Sequence, residues 1–164
     1  MKIIFLDIDG VLNSEKYEAD RAENRDGDYI DLSRVGLLAD LVNATDAKIV
    51  LISSWRVDWN QDSKLCGNDG TYINQCLAKY GLFIMDKTPY FSFFTQRKKE
   101  ILTWISQHCS QVESFVIFDD TDHGWGELSD RVILTNPRGY GLEEVHIQKA
   151  LELLQVKFDS TELA

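Results

Sequence analysis

A chain of 164 residues with 44% hydrophobic content holds material for one domain with a full core. Its formal net charge of −10 and isoelectric point of about 4.7 argue against broad, nonspecific binding to nucleic acid or anionic membrane. An anionic substrate would have to be attracted locally, by a metal and a few cations.

The first predicted element is a strand. Ile3 to Leu6 is an uninterrupted apolar run, the signature of a strand buried on both faces of a parallel sheet. Asp7 and Asp9 follow at alternate positions, and Gly10 then lets the backbone turn sharply. Both acids are thereby placed at the strand's carboxyl end, where open α/β sheets bind ligands. Two close carboxylates repel unless a cation or a proton compensates, and a hard divalent ion, most simply Mg²⁺, is the economical partner. A merely solvated acidic turn would not need a buried strand running straight into it.

Ser14 to Tyr29 is polar and charged, with Asn24-Arg25-Asp26-Gly27 as a hairpin-turn signal. Ser33 is positioned to cap a helix whose apolar face is Val35, Leu38, Leu41 and Val42, ending at Asp46-Ala47. Ile49 to Ile52 reads as a second buried strand, closed by Ser53-Ser54-Trp55-Arg56. A hydroxyl at such a strand end can donate to a phosphate oxygen. Ser53 sits directly on the strand end, Ser54 is the alternative, and either can instead cap a turn. Trp55 reads as core packing, and Arg56 as a residue of the site rim or the partner of a surface acid.

Val57 to Gly70 is irregular. Thr71 to Tyr80 reads as a helix stopped by Gly81, with Ile73, Cys76, Leu77 and Tyr80 on one face. Leu82 to Met85 is a short strand, broken by Lys87-Thr88-Pro89. The aromatic run Tyr90-Phe91-Ser92-Phe93-Phe94 is read as core rather than as a substrate pocket. Thr95 can cap the next helix, whose first turn is Gln96-Arg97-Lys98-Lys99. Cations there oppose the helix dipole, so an anionic ligand, or simple solvation of a basic face, must favour them. Phe115 to Phe118 is a further buried strand, ending in Asp119-Asp120, with Asp122 close behind. His123 is read as a solvated loop residue. Val132 to Leu134 is a short strand, and Leu142 opens a last helix with Val145, Ile147, Ala150, Leu151 and Leu154 inward. Residues 1–157 are expected to form one domain and 158–164 a frayed tail.

Cys66, Cys76 and Cys109 are odd in number and lack metal-ligand spacing, which fits a reducing cytoplasm. Met1-Lys2 enters the first strand directly, so no signal peptide is expected, and no apolar run is long enough to span a bilayer.

Taken in order, these motifs resemble the haloacid dehalogenase-like (HAD) superfamily of phosphatases. Phe5-Leu6-Asp7-Ile8-Asp9-Gly10-Val11-Leu12-Asn13 is similar to its first motif, and the resemblance makes Asp7 the nucleophile and Asp9 the general acid/base. The Ile49–Ser53 strand end is similar to the second motif, which binds phosphate. Arg97 or Lys98 answers to the third, a lysine or arginine, with Lys99 as a further candidate. Asp119-Asp120 is similar to the fourth motif. It implies an Mg²⁺ site in which Asp119 ligates directly and Asp120 directly or through water, with Asp122 as a substitute. Asp7 and a backbone carbonyl near Asp9 complete that implied site. The segment after Asp9 resembles the helical turn and hairpin flap of these phosphatases. The likeness is closest to small HAD domains found alone or in RNA-repair polyproteins, where a Ser-Ser-Trp-Arg second motif recurs.

The implied fold is α/β: a doubly wound, mostly parallel, HAD-like Rossmannoid sheet with no large cap domain. The implied activity is Mg²⁺-dependent phosphomonoester hydrolysis through an aspartyl-phosphate at an open site. The acidic charge balance favours a small or nucleotide-sized phosphorylated substrate, with a polynucleotide 3′-phosphate end as the alternative. A phosphotransferase or a non-catalytic binding module on the same fold stays open, although an intact Asp7 speaks against the latter.

Overall fold

The computed structural model describes residues 1–24, 29–91 and 96–158. Strand β1 (Lys2–Leu6) lies at the centre of a five-stranded sheet, between β2 (Lys48–Leu51) and β4 (Ser114–Asp119). Outside them lie β3 (Ile84–Lys87), beside β2, and β5 (Val132–Leu134), beside β4, giving the order β3-β2-β1-β4-β5. All four pairings are parallel. Burial on both faces explains the unbroken apolar run of β1, in which Ile3, Ile4, Phe5 and Leu6 are all 0% exposed.

The alternation of side chains along β1 divides the core in two. Ile4 and Leu6 pack into the cluster formed by helices α2 (Leu32–Thr45), α3 (Asn68–Ala78) and α5 (Glu144–Leu153). Ile3 and Phe5 face the other side, against Ile101, Trp104 and Ile105 of α4 (Arg97–His108). The fold is therefore a three-layer, doubly wound α/β/α sandwich, with no large cap among the described residues. Because the strands are parallel, all their carboxyl ends open on one edge. The chain leaves β1 toward β2 and β3 and returns across to β4, so the two ligand-bearing strands flank the reversal point.

Several boundaries differ from the sequence reading. Ser14 to Tyr29 contains a ten-residue helix, α1 (Glu15–Asn24), with Lys16–Asp20 and Glu18–Arg21 ion pairs on its surface. The expected turn at residues 24–27 falls largely outside the described residues. The cap of α2 is Asp31 rather than Ser33: its carboxylate accepts from the Ser33 amide at 2.9 Å and the Ser33 hydroxyl at 2.6 Å. Helix α3 begins at Asn68, three residues earlier than expected, and Gly70 lies inside it. A Cβ there would meet the Asp58 carbonyl oxygen at 2.3 Å, so close packing selects this glycine. Strand β3 is shifted toward Lys87, with the Thr88 amide still donating to the Leu51 carbonyl.

Helix α5 starts at Glu144, after a capping box of Glu143 and His146, and Val145 is 66% exposed rather than inward. Phe158 is tied down by its backbone N–H, which donates to the Glu113 carbonyl at 2.7 Å, and by edge-on packing against Phe115. Ser92, Phe93, Phe94 and Thr95, and the expected tail from residue 159 onward, lie outside the described residues. Among the described residues no helix is long and apolar enough to cross a membrane.

Candidate active site

The carboxyl edge of the sheet gathers the acids. Leu6 is in register with Phe118, and the Asp7 amide donates to the Phe118 carbonyl at 3.0 Å, so Asp7 and Asp119 emerge side by side. Gly10, at φ 73°, turns the chain and leaves the space that Asp120 occupies: a Cβ there would lie 2.2 Å from Asp120 Oδ2. One oxygen each from Asp7, Asp119 and Asp120 lies within 4.8 Å of the others. Thr135 fixes the loops around them, its hydroxyl donating to the Gly10 carbonyl at 2.8 Å and its amide to the Asp119 carbonyl at 2.9 Å.

Arg97 enters this cluster from the first turn of α4. Its Nη1 lies 2.9 Å from Asp119 Oδ2 and 3.2 Å from Asp7 Oδ2. Lys98 points elsewhere, to Glu127 Oε2 at 2.6 Å. Successive helical residues diverge by about a quarter-turn, so only one of the two can face the acids. Burial pushes the Asp7 carboxyl up from 3.8 to about 6; Arg97 opposes the rise, and the Asp119 and Asp120 charges add to it. Burial alone would lower the Arg97 pKa, and the Asp7 and Asp119 charges outweigh it and raise it.

The carboxylate of Asp9 is not part of this three-acid cluster. Its Oδ1 accepts from Asn13 Nδ2 at 2.9 Å and from the Tyr29 hydroxyl at 3.3 Å, and its Oδ2 from Trp55 Nε1 at 3.0 Å. Beside it opens a cleft of about 400 Å³ lined by Asp9, Asn13, Glu15, Glu18, Tyr29 and Pro137, among others. Ser53 is buried at the end of β2, where its Oγ accepts from the Trp55 amide at 3.4 Å, whereas Ser54 is exposed.

Residues 3–147 match the model of the HAD domain in Swiss Army Knife RNA repair proteins. The chain belongs to that family. No curated protein and no solved structure matches it. It is thus a HAD-type domain of the phosphatase and hydrolase kind, and HAD proteins generally use Mg²⁺. The donors in this HAD domain suit that ion: three hard carboxylate oxygens converge where burial disfavours uncompensated charge.

Several site neighbours in the HAD domain escaped the sequence reading. His123 is not solvated: its Nε2 lies 3.4 Å from Asp119 Oδ1, its side chain is 15% exposed, and its ring packs edge-on against Trp125. Arg56 is neither a rim residue nor the partner of a surface acid. It is buried, donates to the Ile52 and Ser53 carbonyls, and pairs with the equally buried Glu100 at 2.5 Å. It thereby ties the second motif to α4, the helix that carries Arg97. Asp122 accepts from the Gly124 amide at 2.9 Å and lies exposed, outside the three-acid cluster. Tyr90 lies over the Arg56 guanidinium, 4.9 Å from it, and Phe91 is 44% exposed, so the described part of the aromatic run divides between packing and surface.

Proposed function

We propose that this chain is an Mg²⁺-dependent phosphomonoester hydrolase working through an aspartyl-phosphate on Asp7. The observation that carries the reading is the convergence of Asp7, Asp119, Asp120 and Arg97 at the carboxyl edge of the sheet, in the motif order of the HAD family. An Asp7 oxygen attacks phosphorus in line, forming one O–P bond as the bond to the leaving alcohol breaks. Asp9 gives its proton to the departing oxygen. It then takes a proton from the water that attacks phosphorus, releasing inorganic phosphate and restoring Asp7. Arg97 holds phosphoryl oxygens with charge-assisted hydrogen bonds, and the Ser53 hydroxyl donates a further one. Bound by Asp7, Asp119, Asp120 and a backbone carbonyl near Asp9, Mg²⁺ would offset the repulsion between carboxylate and phosphate.

The substrate we propose is small or nucleotide-sized. Of the basic cluster Arg97-Lys98-Lys99, the first sits among the acids, where it is assigned to the reacting phosphoryl group, and the second pairs with Glu127. That leaves little positive charge to track a polynucleotide, and the cleft beside Asp9 carries Glu15 and Glu18. The second reading, a phosphorylated RNA end, is favoured by the family description. The odd number of cysteines, Cys66, Cys76 and Cys109, without metal-ligand spacing, supports a reducing compartment, the cytoplasm. The test is kcat/KM for a nucleoside monophosphate against an oligonucleotide with the same terminal phosphate, with Mg²⁺ and with Asp7→Asn as control. Loss of turnover in Asp7→Asn and comparable values for the two substrates are expected. An advantage of more than about tenfold for the oligonucleotide, roughly 1.4 kcal/mol, would establish the RNA reading instead.

A further inference from the structure

We propose that Trp55 is a positioning residue for Asp9: its indole N–H fixes the carboxyl group so that the acidic proton is aimed at the leaving alcohol. The inference rests on the hydrolase reading above and goes beyond it. Trp55 Nε1 donates to Asp9 Oδ2 at 3.0 Å while Asn13 Nδ2 donates to Oδ1 at 2.9 Å, so both oxygens are held from the protein side. An indole N–H and an amide NH₂ are donors only. Neither can receive the proton of a protonated Asp9. The Tyr29 hydroxyl also donates to Oδ1, at 3.3 Å, so Oδ1 carries two donors and Oδ2 one, and the proton takes the lone pair of Oδ2 that the indole leaves open.

The indole is itself held. It stacks against Tyr29 at 5.7 Å between ring centres and 21° between planes, and against Tyr72 at 6.3 Å and 37° on a tilt. The Tyr72 hydroxyl in turn accepts from the Ile30 amide at 3.2 Å. Trp55 stands in a 3-10 turn, Ser54–Val57, that is locked from below by Arg56 through the Ile52 and Ser53 carbonyls and Glu100. Rings with two torsions each, packed in a row, lose little further freedom when they present one donor. One strand end thus provides both the buried Ser53 hydroxyl and the donor that orients Asp9.

The test separates an aiming role from a packing role by varying the leaving group. Trp55→Phe keeps an aromatic ring in the stack and removes the N–H. Incorporating 3-benzothienylalanine at position 55 keeps the bicyclic shape and removes only the N–H, and serves if the phenylalanine variant does not fold. The measurements are kcat/KM for 4-nitrophenyl phosphate and for an alkyl phosphate, with Asp9→Asn as reference, and Mg²⁺ affinity by calorimetry. A good leaving group needs little protonation, so its kcat/KM should fall by less than about threefold, while the alkyl phosphate should lose about tenfold or more. Mg²⁺ affinity should be unchanged. Equal losses with both substrates, or none with either, would overturn the proposal while the hydrolase reading stands. A wild-type protein inert toward every phosphomonoester, or an Asp7→Asn variant as active as wild type, would overturn the hydrolase reading and this inference with it.

Discussion

Removing the charge of Asp7 should stabilise the metal-free protein, and the gain should depend on pH in a defined way. Asp7 is 6% exposed, and its carboxyl is raised from 3.8 to about 6, chiefly by burial. Between those values the folded state binds more protons than the unfolded state, so the wild-type protein loses stability from this group as pH rises. The interval spans roughly two pH units at about 1.4 kcal/mol each, a total of about 3 kcal/mol. In Asp7→Asn that loss is absent. The stability difference between variant and wild type should be smallest near pH 4, climb through about pH 6, and level off above it near 3 kcal/mol in favour of the variant. Urea unfolding in a chelator across this range measures the difference directly. Adding Mg²⁺ at about a hundredfold excess over its dissociation constant should return roughly 2.7 kcal/mol to the wild type and little to the variant. A variant no more stable than wild type above pH 6, or a difference that does not change with pH, would refute the reasoning.

Three further outcomes are expected. Asp119→Ala should weaken Mg²⁺ binding by more than about a hundredfold, whereas Asp9→Asn, whose side chain is tied to Asn13, Tyr29 and Trp55, should change it by less than about threefold; calorimetric titration compares them. Arg97→Met should lower kcat/KM by about a hundredfold or more, and Lys98→Met, which breaks only the pair with Glu127, should stay within about threefold in the same assay. Glu100→Gln should destabilise the fold by about 3–5 kcal/mol in urea unfolding, since it strands the Arg56 charge where both side chains are 2% exposed.

The parts of the fold that were legible are those where one physical constraint dominates. Ile3–Leu6 and Phe115–Phe118 are buried on both faces, which forces continuous apolar runs, and acids end both runs at the same edge of the sheet. Boundaries set by competing local bonds were not legible: Asp31 and Ser33 are both good caps, and their hydrogen bond decides between them only in space. The segment after Asp9 was read only as a helical turn, and the ten residues of α1 were not legible because a solvent-facing helix carries no apolar stripe to mark its length. Around these acids, the directions of the side chains were not legible. Whether Arg97 or Lys98 meets Asp7 depends on how α4 is rotated against the sheet. The bonds from Trp55 to Asp9 and from Arg56 to Glu100 join residues 46 and 44 positions apart, separations at which a single sequence offers no periodic signal.

If Asp7 carries the phosphoryl group, a rapid acid quench during turnover traps it there. Wild-type protein mixed with Mg²⁺ and a fast phosphomonoester, quenched in acid and digested, should yield the peptide containing Asp7 with one added phosphoryl group. The amount should rise in Asp9→Asn, where breakdown of the acyl phosphate has lost its base. Turnover at full rate with no phosphoryl group on that peptide, or with the group on another residue, would contradict the account.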